Sequence, residues 1–385
     1  MFPVNTSSTR SVVHRHVTQG HAPVDGAPLG QLLIVTQAVD LDDPVLGFFH
    51  RWIEEFSKHC DTLSVICLKE GRHALPANVS VYSLGKSAQG RPASGWERLQ
   101  VRIHYTLRFY RYTWSLRNDY DAVFVHMNPE YVVLSGWLWR LLRKPVTLWY
   151  IHPRSSWRLL TARFFANHIV SATEKSFPLR SKKLLSVGHG IDTDFFTPGI
   201  DTSEGKTLRV MLAARIAPVK RVECVAGAVS ELVRRGVPVA FDYYGTELPR
   251  DREYAETIRK LVLETVPPHV WTWKGNASQS HLRDAYREHD VHVNATGSGS
   301  FDKAVFESMA CGCITVVSNR ALAGVVPAEL QFKEDDPVSL ADTLERISRM
   351  SAGGRADLKK RMRSIAVENY SLPALIGRVA AVLTS

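Results

Sequence analysis

Long apolar runs are missing from this 385-residue chain, and so are clustered cysteines. No window approaches the roughly 18 uncharged apolar residues that a membrane-crossing helix requires, so no such helix is expected. Residues 1–30 are rich in Ser, Thr, His, Pro and Gly and lack an apolar central segment. That composition does not read as a secretory signal and reads instead as a flexible tail. The five cysteines (Cys60, Cys67, Cys224, Cys311, Cys313) are scattered, and only Cys311 and Cys313 lie close together. One intervening residue is too few for a CxxC redox pair or zinc knuckle, and no second cluster completes a metal site. Reduced, buried thiols and no metal are therefore expected. No internal repeat and no nucleic-acid recognition motif stand out. The positive residues are interspersed with apolar ones and form no polar stripe, which excludes a nucleic-acid reading of the basic balance.

What is present suits a soluble globular protein, with 45% hydrophobic and 22% charged residues. At this length two domains are the default. The net charge of +10 is uneven: residues 1–200 hold 23 Lys+Arg against 15 Asp+Glu, and the remainder 25 against 23. The excess of cations in the first half points to an anionic surface or acidic substrate on that side.

From residue 31 onward, short β-branched runs alternate with amphipathic stretches. Examples are Leu32–Thr36, Thr62–Leu68, Asp121–His126 and Val146–Ile151, separated by helix-like Val45–Lys58, Trp96–Leu116 and Glu130–Leu142. Such alternation predicts a parallel, doubly wound α/β sheet. Thr197-Pro198-Gly199 through Gly205 reads as a linker, after which the pattern restarts at Leu208–Ala214. The expected organisation is a tail (1–30), a first Rossmann-like domain (31–198), a second (206–370), and a last helix (371–385) suited to packing back on the first domain.

Chemistry concentrates in the second domain. Arg215 and Lys220 follow the run Leu208–Ala214, and Ser300-Phe301-Asp302-Lys303 opens a helix-like segment that carries Glu307 and ends at Gly312. Two cations at one strand end and a helix start at another suit a nucleotide diphosphate. The cations offset phosphate charge, and the free backbone N–H groups of a helix start donate to phosphate oxygens. Asp302 or Ser300 would also cap that helix. A carboxylate in an otherwise apolar helix is expensive unless paired, and ribose hydroxyls would satisfy Glu307. Gly245 and Lys274-Gly275 close two neighbouring strands on the same side, as further neighbours of diphosphate and base.

Three segments carry a resemblance. Val187-Gly188-His189-Gly190-Ile191-Asp192 through Pro198, Ala214-Arg215-Ile216-Ala217-Pro218-Val219-Lys220-Arg221 and Ser298–Gly312 resemble, in order and spacing, elements of glycosyltransferase family 4. The likeness covers roughly residues 31 to 385. It implies a GT-B fold, a retaining mechanism, no obligatory metal or other cofactor, and a nucleotide-diphosphate sugar donor held by the C-terminal domain. In that family a second Glu often stands eight residues before the ribose Glu; here that position is Gly299.

The first domain offers acceptor-side candidates. His152 follows the strand-like run Val146–Ile151 and matches in position a histidine that the family uses near the transferred sugar, while a lone strand-end histidine is also often structural. His126 ends another strand. Asp40 and Asp42 follow the first strand, where they would either orient an acceptor hydroxyl or solvate the loop, and Asp43-Pro44 would start the next helix. Trp96–Leu116 mixes Leu99, Ile103, Leu107, Tyr110 and Trp114 with Arg98, Arg102, Arg108 and Arg111. It reads either as a contact for an anionic membrane surface or as an ordinary helix with a basic face.

The leading reading is a hexosyltransferase that extends an envelope glycan or glycolipid at the cytoplasmic face of the membrane. A sugar phosphorylase on the same fold would need no nucleotide, and Glu307 argues against it. A catalytically inactive nucleotide-sugar-binding module is the non-enzymatic alternative, with Gly299 as its one hint.

Overall fold

The computed structural model describes residues 29–43, 46–86, 94–152, 154–199, 207–297 and 301–385. Residues 1–28 and 200–206, read above as tail and linker, lie outside them, as do Pro44, Gly299 and Ser300. The first half runs β1 (Gln31–Val39), α1 (Phe48–Ser57), β2 (Thr62–Glu70), β3 (Val79–Ser83), α2 (Gly95–Ser115) and β4 (Ala122–His126). It continues with α3 (Pro129–Leu141), β5 (Val146–Trp149), α4 (Trp157–Phe165), β6 (His168–Ser171) and β7 (Leu184–Ser186). The second half runs β8 (Leu208–Ala213), α5 (Val222–Arg234), β9 (Val239–Tyr244), α6 (Arg252–Thr265), β10 (Trp271–Gly275) and α7 (Gln279–Glu288). It closes with β11 (Val291–Asn294), α8 (Lys303–Ala310), β12 (Ile314–Val317), α9 (Pro337–Ser348), α10 (Ala352–Tyr370) and α11 (Leu372–Leu383).

Both halves carry the doubly wound α/β architecture that the alternation predicts. The first sheet has strand order β3-β2-β1-β4-β5-β6-β7 and the second β10-β9-β8-β11-β12, all pairs parallel. Parallel strands are covered on both faces, which is why Leu32–Val35 reads as an unbroken apolar run, Ile314–Val317 as one broken only by Thr315, and both are buried throughout. Helices α2, α3 and α4 cover one face of the first sheet through Phe109, Trp139 and Leu159. The other face is covered by α1 and, from the far end of the chain, by α11. Leu375, Ile376 and Val379 of α11 join Trp52 and Phe56 in one core, and the Arg378 guanidinium donates to the Val187 carbonyl at 2.8 Å. Helix α1 begins at Phe48, later than Asp43-Pro44 suggests, because Asp43 instead holds a turn through Leu46 N and Gly47 N.

Each sheet reverses direction once. In the first, β1 leads outward to β2 and β3 before the chain returns to β4 on the other side; in the second, β8 leads to β9 and β10 before the return to β11. Loops leaving β1 and β4, or β8 and β11, therefore part from each other and leave a crevice at the strand C-termini, where open α/β sheets bind ligands.

Candidate active site

The crevice of the second sheet is bridged by charge. Lys220 sits on a single helical turn, Pro218–Lys220, between β8 and α5. Its ammonium lies 2.7 Å from a carboxylate oxygen of Asp302, across the split, and 3.3 Å from the Thr296 hydroxyl. The same Asp302 oxygen accepts from Asn294 Nδ2 at 3.0 Å and Thr296 Oγ1 at 2.6 Å. Burial alone would raise the Asp302 carboxyl pKa; the Lys220 charge and the bonds from Asn294, Lys220 and Thr296 outweigh it and hold the group well below the usual carboxylate range. Asp302 occupies the cap position of α8, but its side chain makes no capping bond. The expected helix cap is thus corrected: the carboxylate is drawn away from the helix start by three donors, one of them charged.

Arg215 is exposed at the C-terminal end of β8. Its neighbour Gly245 has φ +136°, and a Cβ there would run into the Ala214 carbonyl oxygen, so glycine is what lets the ends of β9 and β8 approach. Gly245 N donates to the Gly275 carbonyl at 2.7 Å, and Gly275 also takes a positive φ, +70°. Lys274 pairs with Asp242 at 3.2 Å, beside His289 on the same carboxylate, so its charge is tied back to β9.

Phe301 is fixed from the first domain's exit. His189 Nε2 donates to its carbonyl at 2.7 Å, and the two rings stack at 5.7 Å and 25°. Burial, reinforced by the Lys303 charge, lowers the His189 pKa to about 4, so the ring is the neutral donor near pH 7. At the start of α8, burial lowers the Lys303 pKa and raises that of Glu307, each opposed by the other's charge one turn away. The Lys303 ammonium lies 4.0 Å from the Phe48 ring centroid, a cation–π contact that reaches α1 of the first domain.

His126 is buried against that same contact. Its ring stacks on Phe49 at 4.0 Å, meets Phe48 edge-on at 6.2 Å, and its Nδ1 lies 3.3 Å from the Thr36 hydroxyl. Burial, with the Lys303 charge, lowers its pKa to about 3. His126, Phe48 and Lys303 therefore form a line joining the two crevices. His152 lies apart from it, exposed beyond β5, with Nδ1 accepting from Arg154 N at 3.1 Å. Asp40 and Asp42 turn the other way. Asp40 is buried on Lys69 of β2 at 2.7 Å, and Asp42 forms a two-pronged pair with Arg72 at 2.8 and 2.9 Å. The hydrogen bond from Lys69 is the main reason the Asp40 carboxyl is held low. Their acidic charge is engaged with cations on the β2 side rather than offered at the β1/β4 crevice.

Several residues here escaped the sequence reading. Asn294 and Thr296 carried a signal, two polar side chains just after the strand-like Val291-His292-Val293. His189, between two glycines, carried another. Phe48 and Gln37, whose Nε2 donates to Asn128 Oδ1 at 2.6 Å, carried none. Among the described residues no group of three or more His, Cys, Asp or Glu could hold a metal ion. All five cysteines are free and buried, and burial raises Cys60, Cys67, Cys224 and Cys311 to about 12.

Residues 207–349, which contain Arg215, Lys220, Asp302 and Glu307, match the family model described as glycosyl transferases group 1. That match takes in most of the second domain and less than half of the chain. Over 147 residues the chain is 27% identical to a GDP-Man:Man(3)GlcNAc(2)-PP-Dol alpha-1,2-mannosyltransferase of Candida glabrata. That match takes in 35% of this chain and 29% of the relative, so the chain spans less than a third of that protein. Among solved structures, Anabaena HepE in complex with UDP superposes with a TM-score of 0.68 at 13% identity, over 92% of this chain and 99% of its own. Sucrose-phosphate synthase of Thermosynechococcus elongatus gives 0.66 at 15%, over 91% and 98%. Likenesses at these identities establish the fold alone, which is GT-B over nearly the whole chain.

Proposed function

We propose that the chain is a retaining hexosyltransferase that moves a sugar from a nucleotide-diphosphate sugar to an envelope glycan or lipid-linked acceptor, on the cytoplasmic side of a membrane. The observation that carries this reading is the Lys220–Asp302 bridge across the β8/β11 crevice, with Arg215 beside it and the first turn of α8 behind it. Cleaving a sugar–phosphate bond builds negative charge on the departing diphosphate. Fixed cations and helix-start N–H groups at that position act on the transition state rather than only on binding. Arg215, Lys220 and the amides around Phe301–Lys303 would take the diphosphate, and Glu307 the ribose hydroxyls. With Lys303 reaching to Phe48, the transferred sugar would lie beside His126, where an acceptor held by the first domain would arrive. Attack on the anomeric carbon from the face the diphosphate leaves keeps the configuration, and puts the acceptor proton beside the departing phosphate oxygen.

UDP and GDP are the first nucleotides to test, since HepE is bound to UDP and the Candida relative takes GDP-mannose. The test is thermal stabilisation by UDP, GDP, ADP and CMP and their sugar conjugates, without added metal. A ligand at a hundredfold excess over its Kd stabilises the folded state by about 2.7 kcal/mol. Stabilisation by one nucleotide diphosphate that Glu307→Gln abolishes is expected; no stabilisation by any of them would sink the donor-site reading.

A further inference from the structure

Ten of the fifteen large apolar side chains exposed among the described residues lie on just three helices, α2, α3 and α4. These helices form one layer on the first sheet, so their outward faces share a side of the molecule. The layer is tied together: Tyr110 of α2 donates to the Leu134 carbonyl of α3 at 2.7 Å, and Arg140 of α3 donates to the Phe164 carbonyl of α4 at 2.9 Å. Helix α2 is the extreme case. Of its 21 residues only Phe109 and Thr113 are buried, yet Ser94 and Glu97 close a capping box at its start. Trp96, Leu99, Ile103 and Leu107 recur three or four residues apart and make one apolar stripe, with Trp96 68% exposed. On α3, Leu141 is 72% exposed, with Trp137 one turn before it.

Charge along the same stretch is predominantly positive. Residues 95–165 hold 11 Arg+Lys against 4 Asp+Glu, which is most of the +10 of the whole chain. Arginines lie against the exposed rings: Arg117 on Trp114 at 4.6 Å, Arg140 on Phe164 at 4.7 Å and Arg158 on Trp157 at 5.4 Å. No helix among the described residues is long and apolar enough to cross a membrane, so such a face would act from the surface.

We propose that α2, α3 and α4 together form a docking face for a bilayer rich in anionic phospholipid, with the aromatic and leucine side chains entering the headgroup boundary and the arginines meeting phosphates. This rests on the acceptor being lipid-linked for its purpose, but not for its physics. Charge complementarity selects the occupant. A second copy would set two strongly cationic faces against each other, and nucleic acid, whose bases could stack on the exposed tryptophans, would leave the aliphatic part of the stripe, Leu99, Ile103 and Leu107, uncovered. Tyr110 and Arg108, which the sequence groups with the stripe, instead dock α2 to the domain through Leu134 and Leu84.

The test is flotation of the full chain with vesicles of phosphatidylcholine alone or of phosphatidylcholine with phosphatidylglycerol. Binding only to the phosphatidylglycerol vesicles, reversed by high salt, is expected. It should fall by about tenfold or more in Leu99→Glu/Leu107→Glu and in Trp157→Glu/Leu160→Glu, but not in Leu263→Glu, an equally exposed site on α6. Thermal stability and UDP or GDP stabilisation measured on the same samples separate this proposal from the donor-site reading, since these exposed residues serve neither. No binding to anionic vesicles, or binding that both double variants retain, would overturn it. A self-association in solution that the same variants disperse would overturn it in favour of a second copy.

Discussion

Removing either end of the Lys220–Asp302 bridge should destabilise the second domain, and removing both should cost little more than removing one. The side chains are only 15% and 19% exposed, so the pair is mostly withdrawn from water rather than a surface ion pair. Lys220→Met leaves a desolvated carboxylate that still accepts from Asn294 and Thr296 but has lost its counter-charge; Asp302→Ala leaves a desolvated ammonium and takes the acceptor from those two donors. Breaking a buried pair typically costs about 3–5 kcal/mol, and the residual exposure favours the low end, about 3 kcal/mol for each single variant. For a domain of this size that is a fall in Tm of about 6–12 °C. The double variant removes both stranded charges together, so a coupling of about 2 kcal/mol is expected in a double-mutant cycle. The pH dependence has a definite sign. Asp302's folded pKa is depressed, so its contribution is complete above the ordinary carboxylate range, near pH 4, and is lost as pH falls through the lower folded value. In Lys220→Met the main depressing charge is gone, so the gap between wild type and variant should narrow on acidification below pH 4. The assay is thermal and guanidinium unfolding of the four proteins of the cycle at pH 7 and at the lowest pH where all are folded. Additive single effects, or a loss below about 0.5 kcal/mol in either, would refute the reading of a desolvated pair.

Other consequences are more local. Gly245→Ala puts a Cβ against the Ala214 carbonyl at a φ of +136°, so a loss of at least about 2 kcal/mol is expected in guanidinium unfolding, together with weaker nucleotide binding through the displaced Arg215. Glu307→Gln should abolish stabilisation by the cognate nucleotide diphosphate while the unliganded Tm stays level or rises, because burial already works against its charge. His126, His189 and His292 are buried neutral, with pKa values lowered to about 3, 4 and 3. Their depressed pKa values contribute stability that is complete above about pH 6.5 and is lost as pH falls towards 4. Each contributes about 1.4 kcal/mol per pH unit in that window, and denaturation midpoints at pH 7.0 and 5.5 in the wild type and His189→Gln measure the slope. Arg215→Ala should leave Tm nearly unchanged, because the side chain is exposed, while reducing turnover by about a hundredfold or more in a transfer assay.

What the sequence made legible and what it hid divide along one physical line. Strands such as Leu208–Ala213 and Ile314–Val317 are readable because a strand covered on both faces is apolar along most of its length, here with Arg209 and Thr315 as the exceptions, a local property of the chain. The positions of Arg215 and of α8 follow from it, since loops after such strands must surface at the C-terminal edge. Partners were not readable in the same way. Asp302 before a helix has the local signature of a cap, and a cap is what isolated peptide physics would make of it. Its actual partners, Lys220 and Asn294, arrive from the ends of β8 and β11, and a charged donor outcompetes a backbone N–H once the split in the sheet brings it within 2.7 Å. Asp40 and Asp42 were hidden for the same reason: Lys69 and Arg72 reach them only because β2 lies beside β1. The carboxylates whose partners the sequence hid are thus those whose cation comes from another strand or its end. Glu307 differs, because the charge that opposes its burial, Lys303, is on its own helix and does not prevent burial from raising its pKa. Its desolvation cost is one that a ligand's hydroxyls could relieve, and that makes it the most informative residue to change first.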